Sequence, residues 1–307
     1  MKILVLNPDQ IKRYNWGHQL FRNEIGRQCD YALFYGPGFP NFNPKLTVPQ
    51  IIKNYCVEKP DIIMTYGWRY SKDFEGLGDI NDIAKVNITV DYVRPHGFPK
   101  QNKMFKKNKY DLVFAITQRA LNLQRENNVC DKIRLLPFSV DTTIYKNLNL
   151  PTENFVLASY NARSDVYPNR GKVRQIVKSM GYRLATKQIV HGRYVKAINR
   201  ARIVLTNNNI FNSLSMRYTE VLACGGFLLA DKPDDLDLLG FKDGVHLVIY
   251  KDMNDLKNKL KYYMNPKNNK ERKKIANQGM KFVRENHSCV KRANKFKEII
   301  KEELGVE

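Results

Sequence analysis

Short apolar runs of strand length alternate with stretches of helical periodicity along this chain, and they do so in two successive series. Residues 2–7 (KILVLN) read as a buried strand, followed by a loop holding Pro8, Asn15, Trp16 and Gly17 and then a helix over 18–27. Residues 31–35, 61–65, 85–90, 111–116 and 133–136 repeat the strand pattern, with helical stretches at 49–58, 102–108 and 119–127 among them. The loop 36–44 carries Pro37, Gly38, Pro40 and Pro44, which excludes regular structure and places it at the surface. After Pro137 the chain turns polar and proline-punctuated, as a connection between domains does, and a second series begins. It has strands at 155–159, 203–206, 227–230 and 245–250, helices at 172–180 and 194–202, and lysine-rich helices from Asn254 onwards. Alternation of this kind dictates an α/β fold of doubly wound parallel sheets, whose ligands bind at the carboxyl ends of the strands. Two Rossmann-like halves of nearly equal size are expected to face each other.

Within the second series, Ser213 to Asp231 (SLSMRYTEVLACGGFLLAD) runs from a helical pattern through paired glycines into a strand. Arg217 and Glu220 stand three residues apart and so share one helix face, with Val221, Leu222 and Cys224 supplying apolar contacts nearby. Gly225 and Gly226 fall where a helix end needs a left-handed residue. Asn212, Ser213 and Ser215 are candidates to cap the helix start, whose free amides and positive dipole end suit a phosphate. Glu220, one turn in, has the chemistry to accept hydrogen bonds from a ribose diol. An ordinary amphipathic helix with an exposed Arg and Glu pair and a glycine cap has the same pattern, and spacing alone does not separate the two.

At 307 residues with 43% hydrophobic content, the chain has enough material for two sizeable cores. No apolar run reaches 18 residues, and residue 2 already enters the first strand without a charged and apolar leader, so a soluble, cytoplasmic protein is expected. The five cysteines are odd in number, far apart and without a CxxC pair, which fits reduced thiols and supports neither a disulfide framework nor a zinc site. Charge is the unusual bulk property: 52 basic against 30 acidic residues give +22. Lysine, asparagine, isoleucine and tyrosine are abundant, as an AT-rich genome would produce, yet that bias lowers arginine and 19 arginines remain. Residues 163–202 hold 11 basic residues and one acid, and residues 94–134 hold 10 and three. One basic segment in each half points to a cleft that attracts a polyanion, with a merely solvated surface as the alternative.

The run Arg217-Tyr-Thr-Glu220-Val-Leu-Ala-Cys-Gly225-Gly226-Phe-Leu-Leu-Ala, followed by Gly240 to Gly244, Tyr250 to Asp252, Ile275 to Gly279 and Asn286-His287, resembles the C-terminal domain of GT-B glycosyltransferases, with the CgeB-like glycosyltransferases as the nearest subgroup. Pro137-Phe-Ser-Val-Asp141 resembles the segment by which such enzymes enter that domain. The resemblance covers residues 130 to 300; the first half matches only in strand order. It implies an acceptor domain over 1–140, a linker over 141–153, a nucleotide-sugar domain over 154–290 and a C-terminal helix, 291–307, packing back on the first domain. It implies further that Glu220 binds the donor ribose while Arg217, Arg163 and Arg170 neutralise the donor diphosphate, with no cofactor beyond the nucleotide sugar and no metal required. Asn212, Ser213, Ser215 and Gly225 complete the expected donor site. Asp234, Asp235 and Asp237 are read as a solvated acidic turn rather than a metal site. Where many retaining members carry a second glutamate eight residues before the first, this chain has Asn212, which leaves retention or inversion of configuration open.

An inverting enzyme needs a general base beside the acceptor hydroxyl. Asp91, at the end of the strand over 85–90, is the first candidate and His18 the second; His96 and His191, each beside a glycine, are weaker ones. Trp16, Arg94, Lys103, Lys106, Lys107 and Arg193 are expected to meet the acceptor or another polyanion. The charge makes a hydroxylated or hydroxymethylated base in DNA an acceptor of interest, in outline like the phage DNA glucosyltransferases, with a cell-envelope glycan or lipid-linked acceptor at an anionic membrane face as the competing one. A non-catalytic polyanion-binding protein and a nucleotide-sugar epimerase are the alternatives in other classes.

Overall fold

The computed structural model describes residues 1–11, 16–67, 74–93, 97–160, 165–187 and 189–306. The chain divides into two compact units, Met1–Pro137 together with Cys289–Glu307, and Phe138–Ser288. The first unit contains β1 (Lys2–Leu6), α1 (Trp16–Arg27), β2 (Tyr31–Tyr35), α2 (Val48–Tyr55), β3 (Ile62–Tyr66), β4 (Ala84–Thr89), α3 (Phe98–Asn108), β5 (Leu112–Ala115), α4 (Gln118–Glu126) and β6 (Ile133–Leu135). Its six strands form one parallel sheet in the order β2-β1-β3-β4-β5-β6, with Leu4 opposite Leu33 on one side and Ile63 on the other. The central strands are buried along almost their whole length because helices cover both faces, which is why they read as continuous apolar runs rather than as alternation.

The second unit contains β7 (Glu153–Leu157), α5 (Asn169–Ser179), β8 (Leu184–Ala185), α6 (His191–Arg200), β9 (Ala201–Thr206), α7 (Met216–Ala223), β10 (Leu228–Ala230), β11 (Val248–Ile249), α8 (Met253–Met264) and α9 (Asn269–Asn286). Its strands are also all parallel, in the order β11-β10-β9-β7-β8. The core packs Val156, Ile203, Leu205, Phe227 and Leu229 of the sheet against Val173, Val177, Leu256, Leu260 and Ile275 of the helices. The last helix, α10 (Cys289–Leu304), returns to the first unit, where Phe296 lies 5.2 Å from Phe114 and Lys297 Nζ donates to the carbonyl of Gln28 at 2.9 Å.

The stretch 141–153, expected to be a linker, packs into the second unit instead. Leu148 N–H donates to Asn199 Oδ1 at 2.6 Å and the Tyr145 hydroxyl to Glu220, so polar side chains there serve internal hydrogen bonds rather than solvent. Helix α3 starts at Phe98, four residues before the predicted start, because Pro99 fits the first turn, where its missing N–H costs nothing. Strand β11 is shorter than predicted, since Asp243 Oδ1 accepts the Ile249 N–H at 2.8 Å and holds the preceding residues in a turn. The two-residue β8 carried no legible pattern. Among the described residues all five cysteines are free, and no helix is long and apolar enough to cross a membrane.

Candidate functional site

In each sheet the strand order reverses once, and such a reversal opens a crevice at the carboxyl ends of the two flanking strands. In the second unit the reversal falls between β7 and β9. The chain leaving β7 delivers Ser159 and Tyr160, the chain leaving β9 delivers Asn207 and Asn208, and α7 begins beyond them.

Tyr160, 2% exposed, is the focus of a cationic cluster: the guanidinium carbons of Arg170, Arg174 and Arg217 lie 4.5, 4.8 and 6.0 Å from its ring centroid. Arg170 also stacks 3.2 Å above Tyr167. Arg174 Nη2 donates to the carbonyls of Ala158 at 3.0 Å and Tyr160 at 2.5 Å. Arg217 Nη1 donates to the carbonyl of Ser159 at 2.5 Å. Neither Arg174 nor Arg217 has an ion pair among the described residues. Burial, with the Arg217 charge adding to it, pulls Arg170 down to about 10, so the cluster gains from a bound anion.

Glu220 is buried, and burial pushes its carboxyl up against the opposing pull of Arg217 and of the hydrogen bond from Tyr145. That bond is 2.9 Å long and uses Oε1. Oε2 accepts no hydrogen bond among the described residues. Arg217 is held from the other side by Tyr194 of α6, whose hydroxyl lies 3.5 Å away. Although burial works against its charge, Tyr194 and Glu220 keep Arg217 above the usual guanidinium range.

The capping expected at the start of α7 is not made. Ser215 occupies the N-cap position with extended backbone, but its side chain makes no cap hydrogen bond, and its buried Oγ has no partner among the described residues. Asn212 adopts a left-handed conformation with φ 53° and turns its amide to Asp234 Oδ1 at 2.5 Å, while Ser213 Oγ reaches only the carbonyl of Phe211. Among the described residues no side chain caps the amides at this helix start, as anion binding requires. Gly225 lies at the other end of the helix, about 12 Å along its axis. It has φ 70° and serves the exit turn. At Gly226 a Cβ would meet Ile198 Cγ2 at 2.7 Å, so this glycine lets helix and strand pack closely.

A network that the sequence did not reveal lies under the site. Asp231 Oδ1 accepts the Asn208 N–H at 2.7 Å, and the Tyr218 hydroxyl donates to the Asp231 carbonyl at 2.7 Å. Tyr160 donates to Asn207 Oδ1 at 3.1 Å, and Asn207 Nδ2 donates to the Tyr250 hydroxyl. Burial raises the Asp231 carboxyl. Of the predicted acidic turn, Asp237 pairs with Lys232 at 2.6 Å and Asp234 is exposed, but Asp235 is buried, so the turn is only partly solvated. Among the described residues no three His, Cys, Asp or Glu side chains gather as metal ligands would.

In the first unit the reversal falls between β1 and β3. Asn7 spans it, donating through Nδ2 to the Tyr66 carbonyl at 3.0 Å and accepting the Tyr66 N–H at 2.5 Å. His18 of α1 places Nδ1 2.8 Å from the Tyr66 hydroxyl. Burial, and then the Arg22 charge, pull His18 down to about 3, so it is neutral at physiological pH. Asp91 follows β4, is exposed and has φ 63°, a backbone conformation uncommon for a residue other than glycine. Its charge contributes to raising the Tyr66 hydroxyl, after burial. Lys103, Lys106 and Lys107 are exposed on α3. Trp16 is half-buried at the start of α1; in the second unit Arg193 is exposed and His191 half-buried on α6. Arg94, His96 and Arg163 lie outside the described residues.

Residues 154–298 match the model of a family described as glycosyl transferase-like. No curated protein matches the chain. Among solved structures, a glycosyltransferase from Rickettsia africae is 14% identical with a TM-score of 0.67, covering 100% of this chain and 99% of that one. Anabaena HepE, solved with UDP and glucose, is 14% identical with a TM-score of 0.69, covering 98% and 100%. Sucrose-phosphate synthase from Thermosynechococcus elongatus is 12% identical with a TM-score of 0.65, covering 100% of both. The two parallel-sheet units thus have the GT-B fold, and the resemblance read in the second half is borne out.

Proposed function

We propose that this GT-B chain, with its glycosyl transferase-like segment over 154–298, is an enzyme that moves a sugar from a nucleoside diphosphate donor, a UDP-sugar, to a hydroxyl acceptor. The observation that carries the reading is the cluster around Tyr160, where three guanidiniums lie within 6.0 Å of one ring centroid and a carboxylate with a spare oxygen stands one turn into the adjacent helix. A nucleoside diphosphate matches both: its diphosphate takes the arginines and the uncapped start of α7, and its ribose diol takes Glu220. The departing diphosphate gains negative charge in the transition state, and fixed guanidiniums stabilise it there without a metal. The complexes of Anabaena HepE with UDP-glucose and with UDP support this donor class.

The proposed acceptor is a hydroxylated or hydroxymethylated base in DNA. It is supported by the net charge of +22 and by Lys103, Lys106 and Lys107, exposed on α3 of the first unit. Asp91 is the proposed general base: its exposure at a strand end suits proton transfer, whereas His18, buried and pulled down to about 3, takes up a proton poorly. The test incubates the protein with a panel of nucleoside diphosphate sugars and modified DNA, reading the mass of the nucleosides. A gain of one sugar, abolished by Glu220→Ala, is expected. Transfer only to glycan or lipid-linked acceptors would replace the acceptor, altered donor without any acceptor would indicate an epimerase, and DNA binding without donor turnover would leave a binding protein.

A further inference from the structure

Glu220 is able to grip a ribose only if its carboxylate is charged and points in one direction, and burial works against the charge. Helix α7 supplies a partial remedy, the Arg217 charge, which favours the ionised form but does not fix its direction. Arg217, on the same face, gives its Nη1 hydrogen bond to the Ser159 carbonyl and forms no ion pair with Glu220. What meets the carboxylate is a side chain from 75 positions away in sequence: the Tyr145 hydroxyl, on a residue 2% exposed, donates to Oε1 at 2.9 Å. Its place is fixed by the backbone before it, because the Tyr145 N–H donates to the Asp141 carbonyl at 2.9 Å and Asp141 Oδ1 accepts the Thr143 N–H at 2.9 Å.

We propose that Tyr145 is a positioning residue for the nucleoside part of the donor: it orients Glu220 and favours its ionised form, leaving Oε2 to accept both ribose hydroxyls. The inference rests on the proposed role of Glu220. A phenol buried against a carboxylate stabilises the charged state directly, since a hydrogen bond to the ionised form lowers its pKa. It also blocks rotation of the carboxylate, so that the oxygen facing the ligand is always the same one. Phenylalanine at 145 would fill the same volume and keep the apolar contacts while removing both effects.

The experiment measures binding of UDP and of 2′,3′-dideoxy-UDP by isothermal titration calorimetry, for the wild-type protein and Tyr145→Phe, across pH 5.5–8.5. Wild-type protein is expected to prefer UDP. Tyr145→Phe is expected to weaken UDP about tenfold, the worth of one hydrogen bond to a charged group, and to leave dideoxy-UDP unchanged. In the variant the loss of UDP affinity on acidification should begin at higher pH, a displacement that a merely structural role would not cause. Equal weakening of both nucleotides, or no weakening of UDP, overturns the role of Tyr145 while sparing Glu220. A wild-type protein that binds the two nucleotides equally overturns the ribose role of Glu220, and that of Tyr145 with it. Should Tyr145→Phe fold poorly, Glu220→Gln supplies the second arm: it keeps an acceptor for the Tyr145 hydroxyl but has no charge to lose, so the ratio of its UDP to dideoxy-UDP affinity, in which the titration of the shared phosphates cancels, should be independent of pH, and a ratio that varies with pH like that of the wild type counts against the proposal.

Discussion

Arg217 and Glu220 stand one turn apart on α7, yet no ion pair joins them; each is held by a tyrosine from outside the helix, Tyr194 for the cation and Tyr145 for the anion. Opposite charges that do not neutralise each other leave both available to a ligand bearing both kinds of complement, a phosphate and a diol.

Replacing Arg217 by lysine should raise the KM for the nucleotide sugar by about 10- to 100-fold, because an ammonium cannot hold the Ser159 carbonyl and present a planar fork to a phosphate at once. Initial rates against donor concentration decide the matter. An unchanged KM would remove Arg217 from the diphosphate site.

Glu220 also carries a stability consequence. Burial raises its pKa in the folded protein above that of the unfolded chain, so folding with the carboxylate charged costs free energy above the folded pKa and nothing below the unfolded one. Glu220→Gln should therefore melt higher than the wild-type protein at pH 8. The difference should shrink as pH falls and vanish below about pH 4. Melting curves of the two proteins from pH 4 to 8 test this; a constant difference contradicts it.

Gly226→Ala places a methyl 2.7 Å from Ile198 Cγ2 and 2.9 Å from Val221 Cγ1. Overpacking of this kind costs about 1–3 kcal/mol. Denaturant titration should show a lower midpoint with an unchanged slope, and UDP affinity should survive wherever the variant remains folded.

If DNA is the acceptor, changing Lys103, Lys106 and Lys107 together to alanine should reduce the slope of log affinity against log salt by roughly 2–3, at ~0.9 for each phosphate no longer neutralised. Binding of unmodified duplex followed by fluorescence anisotropy between 50 and 250 mM salt gives the slope. No change in slope would move the polyanion-binding surface off α3.

The strand alternation was legible because central parallel strands, covered on both faces, appear as uninterrupted apolar runs such as ILVL at Ile3 to Leu6. The Arg217 and Glu220 pair was legible because helical spacing is local. Tyr145, Tyr160, Arg174 and Asp231 were not, for their roles arise from chain segments brought together by the sheet, and a tyrosine near a strand end looks like any core aromatic until its partners are known. The one signal available for Tyr145 was its position four residues after Asp141, within reach of the Pro137 to Asp141 motif. The capping of α7 was not legible for a related reason. Asn212 and Ser213 have the right side chains, but a left-handed backbone at Asn212 turns its amide elsewhere.

The return of α10 to the first unit sets an order of assembly. Ala293, Phe296, Ile299 and Ile300 are buried, and Phe296 lies against Phe114 of β5. On the ribosome, the sheet built from residues 1–137 must wait for the whole second unit to be made before its covering helix emerges. During that interval it carries an open apolar face, whereas residues 138–288 have all their own parts to hand and can complete folding first. The unit that begins the chain is thus the last to be finished.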